Sequence, residues 1–179
     1  KALEEKPAKK RREGESEPLD EETLEQVNKI KELIYDGHDD TAWQLVQSLN
    51  NPRIYEGLLG DCPLDDDGGV KAQEYHKGQE YQEYWWGKGE LFIKLLANLP
   101  EGKLWRLTKL NLPYDQISDV TPLKELTQLT YLNLHNNQIS DVSPLKELTQ
   151  LTGLNLWDNQ ISDVTSLKEL TRLTKLSFG

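Results

Sequence analysis

Cysteine is almost missing from this sequence. Cys62 stands alone among 179 residues, which excludes an intrachain disulfide and removes any need for an oxidising compartment. Long apolar runs are missing too: nothing approaches the roughly 20 residues that a membrane-spanning helix needs. The opening stretch, KALEEKPAKKRREGESEP, has no apolar core of the secretory kind. It begins on Lys1 rather than Met, which leaves room for a removed leader; as it stands, a cytoplasmic location is expected. Positive charge is scarce, with 21 basic residues against 31 acidic ones and a net charge of −10. That balance speaks against a general binder of nucleic acid or anionic membrane, because neutralising phosphates takes a basic surface. Catalytic signatures are absent as well. There is no Gly-rich phosphate loop, H-E-x-x-H or G-x-S-x-G, and no spacing brings Cys62 together with His38, His76 or His135. An acidic run beside Cys62 disfavours its thiolate. The chain reads as a non-enzyme without a cofactor.

What is abundant is one recurring unit. Between Leu126 and Leu170 the sequence runs LTQLTYLNLHNNQISDVSPLKE and then LTQLTGLNLWDNQISDVTSLKE, and Ile117, Ile139 and Ile161 recur every 22 residues. Aligned on leucine, units begin at Leu104, Leu126, Leu148 and Leu170. Within the second, Leu126, Leu129, Leu132, Leu134, Ile139, Val142 and Leu145 are expected to point inward, with Leu132-x-Leu134 a short strand of period two. One unit is too small to bury its own leucines, so successive strands must stack in parallel around a shared core. Asn137 and Asn159 fall where the chain leaves the strand, and an amide there both donates and accepts. Asp115 holds that position in the first unit and Pro113 interrupts the strand before it, so this unit is read as an irregular terminal member. The last unit stops at Leu176-Ser177-Phe178-Gly179, partway through its strand, with leucines left facing water. That suggests a fragment of a longer array.

Ahead of the repeats, residues 1–19 read as a charged, disordered tail, Lys9-Lys10-Arg11-Arg12 included. Residues 20–102 read as helical. Asp20 is an N-cap with Glu21 and Glu22 in the first turn. Leu24, Val27, Lys31 and Ile34 form the buried stripe, widened by Ile30 and Leu33, and Gly37 ends the helix. A second helix after Asp39 or Asp40 buries Ala42, Leu45, Val46 and Leu49 until Asn50-Asn51-Pro52 stops it. A third covers Arg53 to Leu59. Residues Gly60 to Val70 form a loop by composition. The next stretch carries Tyr75, Tyr81, Tyr84, Trp85 and Trp86, and Tyr81 to Trp86 can close the N-terminal edge of the repeat core. Gly89 to Leu99 makes a helix with a broad apolar face. The repeats then occupy 103–179.

Two local patterns invite a functional reading. Taking Gly68 as position six of a calcium loop puts Asp65, Asp67 and Glu74 at liganding positions, but position one is Pro63, which has no ligand to offer. The run is an acidic turn, and no metal is expected. The second pattern lies between the leucines of the strands, where side chains project from the concave sheet. The spacing aligns Lys109 with Tyr131, Gly153 and Lys175; Asn111 with Asn133, Asn155 and Ser177; Pro113 with His135 and Trp157; and Tyr114 with Asn136 and Asp158. Lys109, Tyr114, Tyr131, Asn133, His135, Asn155, Trp157 and Asp158 are the candidate partner-binding residues, with the aromatics as interface anchors. Isolated aromatics of this kind also occur as ordinary surface residues.

The pattern L-x-x-L-x-x-L-x-L-x-x-N-x-I-S-D-V-x-P-L over Leu104 to Gly179 resembles the 22-residue leucine-rich repeats of the internalin type. The helical part, with LIYDGHDDTAWQLVQSLNNP, also looks like a segment that precedes such repeats in bacterial proteins. The resemblance implies an α/β architecture: an N-terminal helical cap domain fused to a short solenoid whose parallel β-sheet lines the concave face. It further implies a protein that binds a partner protein through that face. Three full units are present where such arrays usually have more, and a signal sequence is absent. The alternative expectation is a recognition or regulatory segment of a larger enzyme or bacterial defence assembly.

Overall fold

The computed structural model describes residues 17–59, 70–71, 88–99 and 107–179, with 70–71 described as backbone. Three helices come first: α1 (Glu21–Tyr35), α2 (Asp39–Leu49) and α3 (Pro52–Leu59). The Asp20 carboxylate accepts from the Thr23 N–H at 2.8 Å and caps α1. That bond, and a second from the Thr23 hydroxyl, hold the Asp20 carboxyl below its ordinary range. At the other end Gly37 adopts φ +82°. The His38 N–H reaches the Leu33 carbonyl and the Gly37 N–H reaches the Ile34 carbonyl, the two bonds of a Schellman termination. Asn51 opens α3 by accepting from the Arg53 N–H at 3.0 Å, and its amide donates to Thr23 at 3.1 Å. The start of α3 is thereby tied to the start of α1. Pro52 occupies the first turn, where its missing N–H costs nothing.

The buried stripe of α1 is Thr23, Val27, Ile30 and Ile34. Leu24 was expected on this stripe but stays 48% exposed, because Thr23 is turned inward to meet Asp20 and Asn51. In α2, Ala42 and Val46 are buried while Leu45 and Leu49 are partly buried against the same core. A further helix, α4 (Gly89–Ala97), ends two residues before the expected Leu99 and buries Leu91, Phe92, Ile93, Leu95 and Leu96. It leaves no apolar face to solvent, since it packs against α3 on one side and the first repeat on the other. At Gly89 an added Cβ would lie 2.6 Å from both the Asp115 Cβ and the Ile117 Cγ1. Only glycine allows this approach.

The repeats supply four three-residue strands, β2 (Lys109–Asn111), β3 (Tyr131–Asn133), β4 (Gly153–Asn155) and β5 (Lys175–Ser177). These pair in parallel and in register, Leu110 with Leu132, Leu154 and Leu176 in turn. A fifth strand, β1 (Val70–Lys71), pairs with β2 at the N-terminal edge. Val70 was expected to end a loop; instead a backbone strand covers the edge that the repeats leave open. The aromatic stretch from Tyr75 to Trp86, Cys62, His76, the acidic turn at 61–68 and Leu104 lie outside the described residues.

Pro113 does not interrupt β2, which is as long as its neighbours. It falls in the turn after the strand, where no ladder N–H is required. The first unit is nevertheless irregular, because Gln116 takes φ +54°, which its equivalents Gln138 and Gln160 do not.

Each chain return is a 3₁₀ turn: Thr121–Glu125, Ser143–Glu147 and Thr165–Glu169. The aspartate of each Ile-Ser-Asp-Val segment starts it, Asp119, Asp141 and Asp163 accepting from Thr121, Ser143 and Thr165 N–H groups at 2.8 Å. The Ser143 N–H and hydroxyl hold the Asp141 carboxyl below its ordinary range, and the Thr165 hydroxyl and N–H do the same for Asp163. The inward leucines of the second unit are all buried as expected. Each such side chain contributes about 1.5–3 kcal/mol by leaving water, and it does so against leucines of the next unit. One continuous apolar cluster runs from Val27 in α1 to Leu170.

Candidate functional site

The concave surface is positioned by two ladders of polar side chains. The first is buried at Asn137 and half-buried at Asn159. Asn137 Oδ1 accepts from the N–H groups of Asp115 at 3.1 Å and Ile117 at 2.9 Å, while its Nδ2 donates to the carbonyls of Leu112 and Leu134, each at 2.9 Å. Asn159 repeats the arrangement one unit on, bonding the Ile139 N–H and the carbonyls of Leu134 and Leu156. One amide thus satisfies backbone groups of two successive turns. Asp115 offers no such donors; the first unit relies on Asn137 to reach back to it.

A second ladder runs through Thr108, Thr130, Thr152 and Thr174, just before each strand. Each hydroxyl from Thr130 onward donates to the threonine carbonyl 22 residues earlier at 3.0 Å. Sequence reasoning passed over these threonines. Their recurrence every 22 residues beside the strand leucine was the available signal.

On this frame the candidate residues fall as follows. Tyr131 is 39% exposed, Trp157 58% and Tyr114 51%. Asp158 is exposed, and Lys109, Asn133, His135 and Asn155 are half-buried. Tyr114 and His135 meet edge to face, with ring centroids 4.9 Å apart at 81°. The other two aromatics of the surface do not join that pair. Tyr131 lies across β4, so that a Cβ on Gly153 would sit 2.8 Å from its ring, and Trp157 lies over Gly179 in the same way at 2.8 Å. Each of these rings leans on a glycine placed 22 residues later. That offset pairing is a sequence signal, and only the packing shows what it does.

Behind the rings, the Asn133 Oδ1 accepts from the His135 N–H at 3.2 Å and lies 3.1 Å from its ring Nδ1. Asn155 accepts from the Trp157 N–H at 3.1 Å. Pro113 has no N–H to give Asn111, and the Asn111 Oδ1 takes the Asn133 amide instead, at 2.6 Å. In the next column Tyr114, Asn136 and Asp158 all adopt left-handed backbone, φ +61°, +57° and +58°. Asn136 donates to the Asp158 carboxylate at 2.6 Å.

Where the helices meet the repeats, a polar cleft of about 500 Å³ opens between α2, α4 and the first repeat turn. Lys88 crosses it to Asp39 at 2.8 Å. Glu90 lines it and accepts three hydrogen bonds on Oε1, from the Ser118 N–H (2.8 Å), the Ser118 hydroxyl (2.6 Å) and the Asp119 N–H (3.0 Å). Burial raises the Glu90 carboxyl, but these bonds and nearby Lys94 outweigh it and hold the group below its ordinary range. Among the described residues, no group of three or more His, Cys, Asp or Glu could hold a metal ion, and no helix is long and apolar enough to cross a membrane.

Residues 95–147 match the family profile described as leucine-rich repeats in two copies. Among solved structures, the chain is similar to internalin C2 of Listeria monocytogenes at 33% identity, over 48% of this chain and 46% of that one, with a TM-score of 0.37. It is similar to another Listeria monocytogenes internalin, InlF, at 37% identity, over 48% and 30% of the two chains, with a TM-score of 0.36. A leucine-rich repeat protein of Leptospira interrogans matches at 23% identity over 48% and 26%, with a TM-score of 0.39. The chain spans less than half the length of each of these. No curated protein matches it.

Proposed function

We propose that this leucine-rich repeat chain, whose internalin-like units follow a helical segment, is a binding module that holds a partner protein against its concave face. Leucine-rich repeats are generally protein-binding and are not typically catalytic, which supports the reading. The observation that carries it is the exposure of Tyr131 on β3 and of Tyr114 and Trp157 in the turns just after β2 and β4, on backbone tied between units by the asparagine and threonine ladders. Rigid aromatic side chains on a fixed scaffold lose little entropy on docking and supply most of the energy at interfaces. The helical segment acts as the cap: α4, Glu90 and β1 close the N-terminal end of the array, so the sheet can present its concave side.

The test is partner capture by the intact chain. Replacing Tyr131, His135 and Trp157 together by Ala abolishes capture and leaves the circular dichroism spectrum unchanged. Capture that survives all three changes places the interface elsewhere.

A further inference from the structure

The polar groups of the concave face are largely spent on one another, and what the face offers a partner is rings. Lys109 is already engaged, the Asn133 amide goes to Asn111, and the Asp158 carboxylate takes the Asn136 amide. Tyr114 and Trp157 stay exposed. With His135 they form a row in three successive units, just beyond β2, β3 and β4. The backbone ladder continues through this row. The Tyr114 N–H donates to the His135 carbonyl at 3.2 Å, and the Asn136 N–H donates to the Trp157 carbonyl at 2.8 Å. Neighbouring chains in such a ladder lie about 4.8 Å apart, which puts Tyr114 and Trp157 about 9.6 Å apart across it. Both exposed rings are braced from within, Tyr114 against His135 and Trp157 over Gly179.

Resting on the binding reading above, we infer that this row receives a proline-rich segment of the partner protein, in the polyproline II conformation and running across the strands. A polyproline II helix rises about 3.1 Å per residue with three residues per turn, so prolines at i and i+3 recur about every 9.3 Å on one face. That repeat matches the step from Tyr114 to Trp157. One proline seats against the Tyr114–His135 pair and the next against Trp157, the aromatic-lined docking that such segments use. The carbonyls of this helix make no internal hydrogen bonds. They can take the Trp157 indole N–H and the Tyr114 hydroxyl, which have no hydrogen-bond partner among the described residues. An α-helix presenting i and i+7 spans a similar distance, but its carbonyls are already bonded along its own axis. Charge points the same way. A face with no array of either sign fits an uncharged segment, and the net charge of −10 repels an acidic one.

The test titrates the intact chain into fluorescent decaproline and reads anisotropy, with Ala-Gln and Gly-Ser peptides of equal length as uncharged comparison probes. Decaproline binds about tenfold tighter than either, and raising salt changes its affinity by less than about twofold. Two further neutral peptides test the spacing. Prolines three residues apart in an Ala-Gln background bind more tightly than the same prolines four apart. Trp157→Ala and Tyr114→Ala each weaken decaproline binding by about tenfold or more, with circular dichroism unchanged. Trp157→Phe keeps a ring and removes the indole N–H, and its affinity falls between those of the parent chain and Trp157→Ala. Decaproline binding no tighter than the Ala-Gln peptide, indifference to proline spacing, or undiminished binding by Trp157→Ala and Tyr114→Ala each overturns the inference. If the triple alanine variant loses its partner while decaproline fails to bind the parent chain, the concave interface stands and the proline-rich segment falls.

Discussion

Tyr114 and Asn137 show how much one residue decides in this solenoid. Tyr114 takes φ +61° in a column otherwise filled by Asn136 and Asp158, residue types that tolerate left-handed backbone because of their short polar side chains. Tyrosine has no such advantage, and in exchange its ring meets His135. Tyr114→Asn should therefore stabilise the chain by about 0.5–1 kcal/mol, seen as a higher urea midpoint at unchanged slope. The same change should weaken partner capture. An unchanged or lower midpoint would mean that ring contact outweighs backbone strain. Asn137 presents the reverse case. Its amide serves two turns at once, and Asn137→Ala takes a partner from the Leu112 carbonyl and from the N–H groups of Asp115 and Ile117, while the Leu134 carbonyl keeps its bond from Asn159. The expected loss is about 2–4 kcal/mol, measured by chemical denaturation. Both asparagine positions, 137 and 159, were legible from sequence because an amide is the side chain that can donate and accept there. The left-handed column was not, since nothing in a tyrosine codon position announces its φ.

Among the elements, α4 joins the two parts of the chain. Its apolar face was readable from Leu91 to Leu96, but its docking partner was not. The contact depends on Gly89, which admits Asp115 and Ile117 at close range, and on Glu90, which ties the helix to the first Ile-Ser-Asp-Val turn. These pairs are 26 to 29 residues apart in sequence, and no local periodicity links them. Glu90 also makes a pH prediction. Its folded-state pKa is depressed, so its contribution to stability is full above the ordinary glutamate range of about pH 4.3 and is lost as pH falls through the depressed value. Glu90→Gln should cost about 1 kcal/mol at neutral pH, discounted for its partial exposure. It should also flatten the decline in urea midpoint on acidification below about pH 4.3. A decline as steep as in the parent chain would assign the acid sensitivity to other carboxylates. Strand β1 belongs to the same class of surprise: two residues with no strand pattern around them pair with β2 because that edge needs hydrogen-bond partners.

At the scale of the molecule, stability in a stacked array is a sum of neighbour contacts, and the contacts are unequal along this chain. Leu110, Leu132 and Leu154 are buried to within 2%, whereas their equivalent Leu176 is 40% exposed and β5 has no buried residue. Amide hydrogen exchange should accordingly be slowest in β3 and α4 and fastest in Lys175–Ser177, with an intermediate rate in β4. Uniform protection across the four repeat strands would contradict the nearest-neighbour picture. The sequence by itself determined the 22-residue period, the inward leucines, the amide at each turn and the parallel stacking. A repeat that cannot bury its own leucines has no other way to do so. Tertiary structure alone decided what the usable surface is made of. Tyr131 and Trp157 lie down over glycines of the following unit, Tyr114 pairs with His135, and the side-chain oxygens of Asn111, Asn133 and Asn155 each accept a bond from within the array. Those outcomes depend on which side chain sits beside which across strands, and that adjacency exists only once the strands are in register.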